Sequence, residues 1–221
     1  MSTVVLLDAL GTLVELQPPA PRLRRLLGAA GFEADEDRTA AGFAAEIAYY
    51  LEHHLDGSDS EALDDLRDRC AEALRRALGL PGLDHATARR VMLEALEFAP
   101  FPDAPPALRE LRGAGHALIV VSNWDCSLPE WLRPAGVLDL VDAVVSSAAV
   151  GAAKPDPAPF RRALELAGVG PGHALHVGDS LENDVEGARA AGVRPVLLAR
   201  DGSHPSGVES VRSLAEIASL V

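Results

Sequence analysis

Four segments of the sequence hold side chains that could carry out one reaction together. Carboxylates lie in the first and the last of these segments, at Asp8, Asp179 and Asp184. Groups that can donate hydrogen bonds to an anion lie in the first two, at Gly11, Thr12, Ser122 and Asn123. The third segment holds Lys154, the only lysine in a chain with nineteen arginines. A carboxylate can attack phosphorus or carbon, and an ammonium group can neutralise the charge of a phosphoryl group that approaches it.

The same residues could hold a metal ion. Carboxylate oxygens from Asp8 and Asp179 suit Mg²⁺, because that ion prefers oxygen ligands, keeps several waters and bridges to phosphate. Asp184 could be an outer ligand of the ion, or it could orient Lys154. The lone lysine fits a tight contact of this kind, since its compact charge on a flexible stem is not reproduced by arginine.

The elements that must position these side chains belong to a parallel sheet. The apolar run Val4–Leu7 ends at Asp8 and is typical of a buried strand. After residue 100 the pattern predicts strands over 117–121, 141–145, 174–177 and 193–199, with helices over 128–134, 157–167, 182–191 and 208–220. A further helix is marked by Leu108 and Leu111 and ended by Gly113 and Gly115. Such alternation indicates a parallel sheet with helices on both faces. The four segments follow strands, so we expect them to meet at one edge of the sheet.

Residues 15–100 differ from the rest, because their apolar residues recur only at helical spacing. Proline-rich stretches at 17–21 and 100–106 are expected to be linkers on either side of this insert. Ser58-x-x-Glu61 is read as a capping box, and Asp84 as the cap of the last helix. We therefore predict two domains, one of residues 1–14 and 101–221 and one of residues 15–100.

The first segment, Asp8-Ala9-Leu10-Gly11-Thr12-Leu13, resembles the first motif of the haloacid dehalogenase-like (HAD) hydrolase superfamily, Asp-x-Asp-Gly-Thr-Leu. The other three segments resemble the remaining motifs of that superfamily, and Gly178-Asp179-Ser180 with Asp184 is similar to the phosphatase form of the fourth. The resemblance implies a Rossmann-like α/β core with an inserted all-helical cap of the first class. It also implies that Asp8 is the nucleophile and that the backbone carbonyl of residue 10 binds the metal.

One residue departs from this resemblance. The phosphatases of the superfamily carry a second aspartate as general acid and base, where this sequence has Leu10. The expected function is a Mg²⁺-dependent phosphatase of a small phosphorylated metabolite with this acid missing. Two alternatives stay open: a phospho-ligand binding or regulatory protein with little turnover, and a metal-free 2-haloacid dehalogenase, whose family also lacks that aspartate.

Three neighbours of the segments have ordinary interpretations as well. His176 lies within a predicted strand and is expected to be a core residue, and Trp124 is expected to pack in the core. Asp125 is the residue we consider as a replacement for the missing acid.

Composition narrows the classes of function. The formal net charge is −13, which argues against a nucleic-acid partner because such a partner needs a basic face. Cys70 and Cys126 lie far apart and indicate neither a zinc site nor a disulfide framework. No apolar run reaches the length of a membrane span, and the first residues do not resemble a signal peptide. We expect a cytoplasmic protein with no membrane partner; the sequence leaves its oligomeric state open.

Overall fold

The computed structural model of the chain describes residues 3–203 and 206–221. The chain divides into two units, one of residues 1–15 with 98–221 and one of residues 16–97. Across the described residues, no helix combines the length and the apolar composition that crossing a membrane requires.

A six-stranded parallel sheet forms the centre of the first unit. Its strands, in chain order, are β1 (Val4–Leu7), β4 (Ala117–Ser122), β5 (Ala143–Ser146), β6 (Ala174–Gly178), β7 (Arg194–Leu198) and β8 (Ser210–Val211). The strands lie in the order β5-β4-β1-β6-β7-β8. A separate two-stranded sheet consists of β2 (Val14–Leu16) and β3 (Phe98–Pro100). The predicted α/β fold with a parallel sheet is confirmed.

Helices cover both faces of the large sheet, which is why β1 is apolar along its whole length. The helices of this unit are α5 (Ala104–Gly113), α6 (Leu128–Leu132), α7 (Ser147–Val150), α8 (Ala158–Ala167) and α9 (Gly187–Ala190). Val5 and Leu7 of β1 belong to the apolar cluster that includes α5, whereas Val4 and Leu6 belong to the cluster that includes α8.

The second unit contains four α-helices. They are α1 (Pro19–Ala29), α2 (Glu36–His53), α3 (Ser60–Leu78) and α4 (His85–Ala95). The predicted capping box is wrong, because α3 begins one residue later and its cap is Asp59, whose side chain accepts from the backbone N–H groups of Glu61 and Ala62. Asp84 caps α4 as predicted, accepting from the N–H of Thr87.

The proline-rich stretches are not simple linkers. Pro19 begins α1, and Pro105 and Pro106 lie in the first turn of α5. Proline is favourable there because the first N–H groups of a helix have no partner within it, and its fixed φ suits the helix. Pro100, the first residue of the second stretch, ends β3 instead.

The predicted final helix over 208–220 is also wrong. Ser210 and Val211 form the edge strand β8, and a 3₁₀ helix then runs over Leu214–Ser219. The residue before that helix, Ser213, caps it in a capping box with Glu216. The helical spacing of the apolar residues continued upstream of this cap, so the pattern placed the start of the helix too early.

Glu46 is a buried carboxylic acid on α2, with a relative exposure of 5%. Burial raises its pKa to about 7, against the effect of a hydrogen bond with Cys70. The folded state therefore binds the proton of Glu46 more tightly than the unfolded state does. The stabilisation of the fold by this proton is complete below a pH of about 4.5 and is lost as the pH rises through about 7. We expect Glu46→Gln to reduce the fall in unfolding free energy between pH 5 and pH 8 by about 2–3 kcal/mol.

Urea denaturation of the variant at both pH values measures this effect. Glu52→Gln is the matched control, since Glu52 lies on the same helix but is exposed. It should keep the pH dependence of the unchanged protein. A Glu46→Gln variant with that same dependence would contradict the prediction.

Candidate active site

The parallel register of the sheet brings the four polar segments to one edge. Leu7, the last residue of β1, lies level with Val120 on β4 and Val177 on β6. Asp8 continues this ladder, since its N–H donates to the carbonyl of Val177 at 2.9 Å. Asp8 is therefore held by backbone pairing at the carboxyl end of the central strand, where ligands bind to such sheets.

Lys154 joins two of the predicted carboxylates. Its Nζ donates to Oδ1 of Asp8 at 2.7 Å and to Oδ1 of Asp184 at 2.5 Å, and the lysine is 4% exposed. Ser122 also donates to Oδ1 of Asp8, at 2.9 Å. Burial alone would lower the pKa of Lys154, but the two carboxylates raise it above the ordinary value. The lysine is consequently a fixed positive charge beside Asp8.

The side chain of Asn123 contacts the backbone of Lys154. Its Nδ2 donates to the carbonyl of Lys154 at 2.9 Å, and its Oδ1 accepts from the N–H of Lys154 at 2.7 Å. Both polar atoms of the side chain thus hold the backbone of the lysine. Binding of phosphate by Asn123 stays a prediction.

Asp184 accepts hydrogen bonds from three groups, which fixes its carboxylate firmly. Besides Lys154, Oδ1 lies 2.9 Å from Nε2 of His176, and Oδ2 accepts from the N–H of Ser180 at 3.0 Å. Burial would raise the pKa of Asp184, but Lys154 and His176 lower it well below its ordinary value. Asp184 was considered either as an outer ligand of the metal or as the residue that orients Lys154, and these contacts agree with the second role.

His176 is the residue whose part in the site the sequence did not reveal. It is fully buried in β6, as expected of a core residue, and it also supports Asp184 from behind. Its Nδ1 has no hydrogen-bond partner among the described residues. The one signal in the sequence was that His176 lies two residues before Gly178. Alternate residues of a strand face the same side of the sheet, and Gly178 is the residue that packs against Asp184.

Two glycines allow the acids to approach the backbone. Gly11 has a φ of +86°, and a Cβ atom there would lie 2.1 Å from Oδ2 of Asp179. A Cβ atom on Gly178 would lie 2.1 Å from Cγ of Asp184. Neither position can therefore take a larger residue without displacing an acid of the site.

Asp8, Asp179 and Asp184 form an acidic cluster that could hold a cation. Each offers one carboxylate oxygen, and these three atoms lie within 4.8 Å of one another. Burial, together with the charges of Asp8 and Asp184, raises the pKa of Asp179 to about 6. The pKa of Asp8 is also raised, chiefly by burial. Lys154 bonds two of the three carboxylates, and its one positive charge does not balance all three. This oxygen donor set therefore fits a divalent cation such as Mg²⁺.

The remaining predicted site residues lie in the turn after Asp8. Leu10 is 44% exposed, whereas Thr12 is fully buried and its hydroxyl has no partner among the described residues. The carbonyl of Thr12 accepts a hydrogen bond from Arg200 at 2.9 Å. Binding of phosphate at Gly11, Thr12 and Ser122, and of metal by the Leu10 carbonyl, stays a prediction.

Trp124 and Asp125 have structural contacts. Trp124 packs edge-on against Phe98, with ring centroids 4.9 Å apart, as expected for a core residue. Asp125 is buried, and its Oδ1 accepts from the N–H and the hydroxyl of Ser127. Its carboxylate therefore stabilises the turn before α6, which is an ordinary structural role for an aspartate.

Comparisons with known proteins identify the family. Residues 3–192 match the family described as haloacid dehalogenase-like hydrolase. A phosphoserine phosphatase from Thermus thermophilus is 39% identical over 77% of this chain and 70% of its own length. The phosphatase MT3486 from Mycobacterium tuberculosis is 40% identical over 59% of this chain and 60% of its own length, so the chain spans less than two thirds of that relative.

Solved structures match over the whole chain. A HAD phosphatase from Thermococcus onnurineus is 27% identical, with a TM-score of 0.65, and the match covers 100% of this chain and 97% of that one. The L-2-haloacid dehalogenase from Xanthobacter autotrophicus is 26% identical, with a TM-score of 0.70, and the match covers 100% of this chain and 98% of that one. The likeness in fold thus extends to enzymes of two reaction types.

Proposed function

This chain belongs to the haloacid dehalogenase-like hydrolase family, and from that premise we propose that it is a Mg²⁺-dependent phosphatase of a small phosphorylated metabolite. The observation that carries the proposal is the acidic cluster of Asp8, Asp179 and Asp184 around Lys154. Phosphoryl transfer needs positive charge close to the phosphoryl oxygens. Lys154 provides such a charge, and a cation bound by the acidic cluster would add to it. Phosphatases among the relatives support the same reaction class.

In the proposed reaction, Asp8 attacks phosphorus, the bond to the leaving group breaks, and the leaving group departs with the bonding electron pair. An acyl phosphate remains on Asp8. Water then attacks the same phosphorus, releases inorganic phosphate and restores the carboxylate. The hydrogen bonds from Lys154 and Ser122 fix the orientation of Asp8, which a near-attack geometry requires.

Each group of the site has a part in this proposal. Lys154 screens the repulsion between the carboxylate and the phosphoryl group, and Asp184 with His176 behind it holds the lysine in place. The Ser122 hydroxyl donates to Asp8 and the Gly11 N–H donates to the carbonyl of Val14 at 2.9 Å. Either group would have to leave its present acceptor to donate to a phosphoryl oxygen. The site residues fit Mg²⁺, which Asp8, Asp179 and the Leu10 carbonyl would hold, with Asp184 behind them. When bound, the ion supplies charge neutralisation to the phosphoryl group.

Leu10 sets the class of substrate that this proposal favours. A leucine can neither protonate the leaving group nor activate water, so alkyl phosphate esters should react slowly. A substrate with an acidic leaving group, such as an acyl phosphate, needs no proton at the moment of bond cleavage. We therefore propose acyl phosphates and comparable phosphates as the preferred substrates.

A dehalogenase reaction is the second candidate, and two observations favour it. The dehalogenases of the superfamily also lack the second aspartate, which is Leu10 in this chain. The L-2-haloacid dehalogenase from Xanthobacter autotrophicus is in addition a structural match. Against it, a metal-free displacement of halide has no use for the extra charge of Asp179. Measurement of phosphate and chloride release, each with and without Mg²⁺, separates the two reactions. Binding of phosphate with neither release would favour the regulatory protein.

Binding of Mg²⁺ can be tested without any substrate. At one hundred times its Kd the ion should raise the unfolding free energy by about 2.7 kcal/mol, which is roughly 5–10 °C in Tm for a chain of this size. Asp179→Ala should abolish this shift, because it removes a ligand. Asp139→Asn is the matched control, since that acid is exposed and outside the cluster. A shift that persists in Asp179→Ala would remove Asp179 from the ligands, and no shift in the unchanged protein would favour the dehalogenase.

The wider expectations belong to the same proposal. The helical unit, residues 16–97, would serve as the cap that selects the substrate, because it is inserted in the sequence after the first strand. A cytoplasmic location and the lack of a nucleic-acid partner stay predictions from composition.

A further inference from the structure

Arg200 connects the turn after Asp8 to a distant part of the same unit. It follows β7, and its Nη2 donates to the carbonyl of Thr12 at 2.9 Å. Its Nη1 donates to Oδ2 of Asp103 at 3.0 Å, and its guanidinium lies 3.9 Å from the ring centroid of Phe101. The side chain is only 27% exposed. A planar guanidinium held by a carboxylate, an aromatic face and a carbonyl has little freedom to move.

Asp103 is itself firmly held, so it can anchor the arginine. Its Oδ2 also accepts from the hydroxyl of Ser213 at 2.8 Å and from the N–H of Leu214 at 2.9 Å. Burial would raise the pKa of Asp103, but these donors and Arg200 lower it. Asp103 is therefore an ionised anchor for Arg200.

The turn that Arg200 contacts is tight, so a displacement at Thr12 cannot stay local. The carbonyl of Ala9 accepts from the N–H groups of Thr12, Leu13 and Val14, at 3.3, 2.8 and 2.9 Å. Gly11 precedes Thr12 in this turn and packs against Asp179. A shift of the Thr12 carbonyl would therefore move the Gly11 backbone, and with it the contact to an acid of the site.

We propose that Arg200 is a positioning residue for the reaction at Asp8, which it serves by fixing the Thr12 carbonyl and hence the Gly11 backbone. This inference rests on the proposed phosphatase function, within which the Gly11 backbone packs against Asp179, a residue that would hold the metal. A displacement of about 1 Å in such a group costs on the order of 10²-fold in rate.

The chain contains a matched control for a purely structural effect. Arg194, at the start of β7, pairs with a carboxylate and a carbonyl in the same way: it donates to both oxygens of Glu209 and to the carbonyl of Leu220 at 3.0 Å. It begins the strand that Arg200 follows, so it lies far from the edge that holds Asp8. Arg194→Ala should lower Tm and leave kcat unchanged.

Steady-state hydrolysis of acetyl phosphate with Mg²⁺ tests the proposal. Arg200→Ala should lower kcat about 10–100-fold while KM changes little, and added guanidinium chloride at millimolar concentration should restore part of the loss. Arg200→Lys, the variant more certain to fold, should lose activity as well, because one ammonium cannot bond both acceptors in the same planar geometry. A kcat for Arg200→Ala within twofold of that for Arg194→Ala, or a loss that guanidinium leaves unchanged, would overturn it.

A readout without turnover separates this proposal from the phosphatase function. The assigned ¹H–¹⁵N resonance of Gly11 should move in Arg200→Ala, return towards its original position with guanidinium, and stay in place in Arg194→Ala. If acetyl phosphate is not hydrolysed by the unchanged protein, the phosphatase proposal fails and this resonance still tests Arg200. An unmoved Gly11 resonance in both Arg200 variants would refute the positioning role.

Discussion

Leu10→Asp is expected to raise the turnover of alkyl phosphate esters by about 10²–10⁴-fold, the usual contribution of a general acid–base group. The new carboxyl group would lie two residues after Asp8, where it can give a proton to the leaving oxygen and later take one from water. Leu10 is 44% exposed, so an aspartate there remains partly hydrated and should not disrupt the fold. Phosphate release from an alkyl phosphate, with Mg²⁺ present, measures the gain.

Two variants separate acid–base catalysis from other effects of this change. Leu10→Asn has the same shape as the aspartate without its proton chemistry, and should gain little. Leu181→Asp adds the same charge at another exposed leucine, two residues after Asp179 and 45% exposed, and should gain nothing. The acyl phosphate reaction should benefit less than the ester reaction, because its leaving group needs no proton. A folded Leu10→Asp variant with no gain would mean that the site is impaired elsewhere and would favour the phospho-ligand binding protein.

The core of the fold could be predicted because its signals are local. The run Val4–Leu7 is buried on both faces, so it had to be continuously apolar, and a polar residue had to follow where the strand ends. Each of the four polar segments follows a strand or the short connection after one, and parallel strands place such ends together. The contacts of Lys154 with Asp8 and Asp184 agree with that expectation.

The errors arose where one pattern is compatible with two structures. Helical spacing over 208–220 was real for Leu214 and Ile217 but did not extend to Ser210 and Val211, which pair with β7. Proline-rich stretches indicate a break in an element, but proline is also common in the first turn of a helix, as in α5. Ser58 and Glu61 satisfied the spacing of a capping box, while Asp59 provided the better acceptor one residue later.

The roles of His176 and Arg200 could not be predicted, because each depends on a contact that local sequence does not encode. A histidine within an apolar strand is compatible with simple burial, and only the folded position of Asp184 reveals its partner. Arg200 is one of nineteen arginines and lies 188 residues from Thr12 along the chain. Its distinction is spatial, since it follows β7 and donates to the turn after Asp8.

Asp8→Asn is expected to lower phosphate release from acetyl phosphate by about 10⁴-fold or more, as removal of a nucleophile does. The amide is a far weaker nucleophile than the carboxylate, while it keeps the size of the side chain. Ser122 and Lys154 should still pack around it, so the Tm of the variant tests that the fold is intact. A smaller loss, within about tenfold, would mean that phosphate is released without attack by Asp8.

The unchanged protein should carry a phosphoryl group on Asp8 during turnover. Leu10 can help neither step, but acetate leaves without a proton, so only the attack of water on the acyl phosphate remains slow. Phosphorylation should then outrun hydrolysis, and an acid-stable, base-labile adduct should accumulate. Intact-protein mass spectrometry after a rapid acid quench should show one added phosphoryl mass, which requires Mg²⁺ and is missing in Asp8→Asn.

Lys154→Ala separates the two steps of this reaction. The lysine screens two anions that must approach each other when the adduct forms, whereas neutral water attacks when the adduct breaks down. The variant should therefore slow formation more than breakdown, which single-turnover quench experiments resolve. Its stability must be measured in parallel, because it leaves Asp8 and Asp184 buried without their shared cation. Phosphate release with no detectable adduct would mean that another group activates water, and tight phosphate binding with neither adduct nor release would mean that the chain binds its ligand without catalysis.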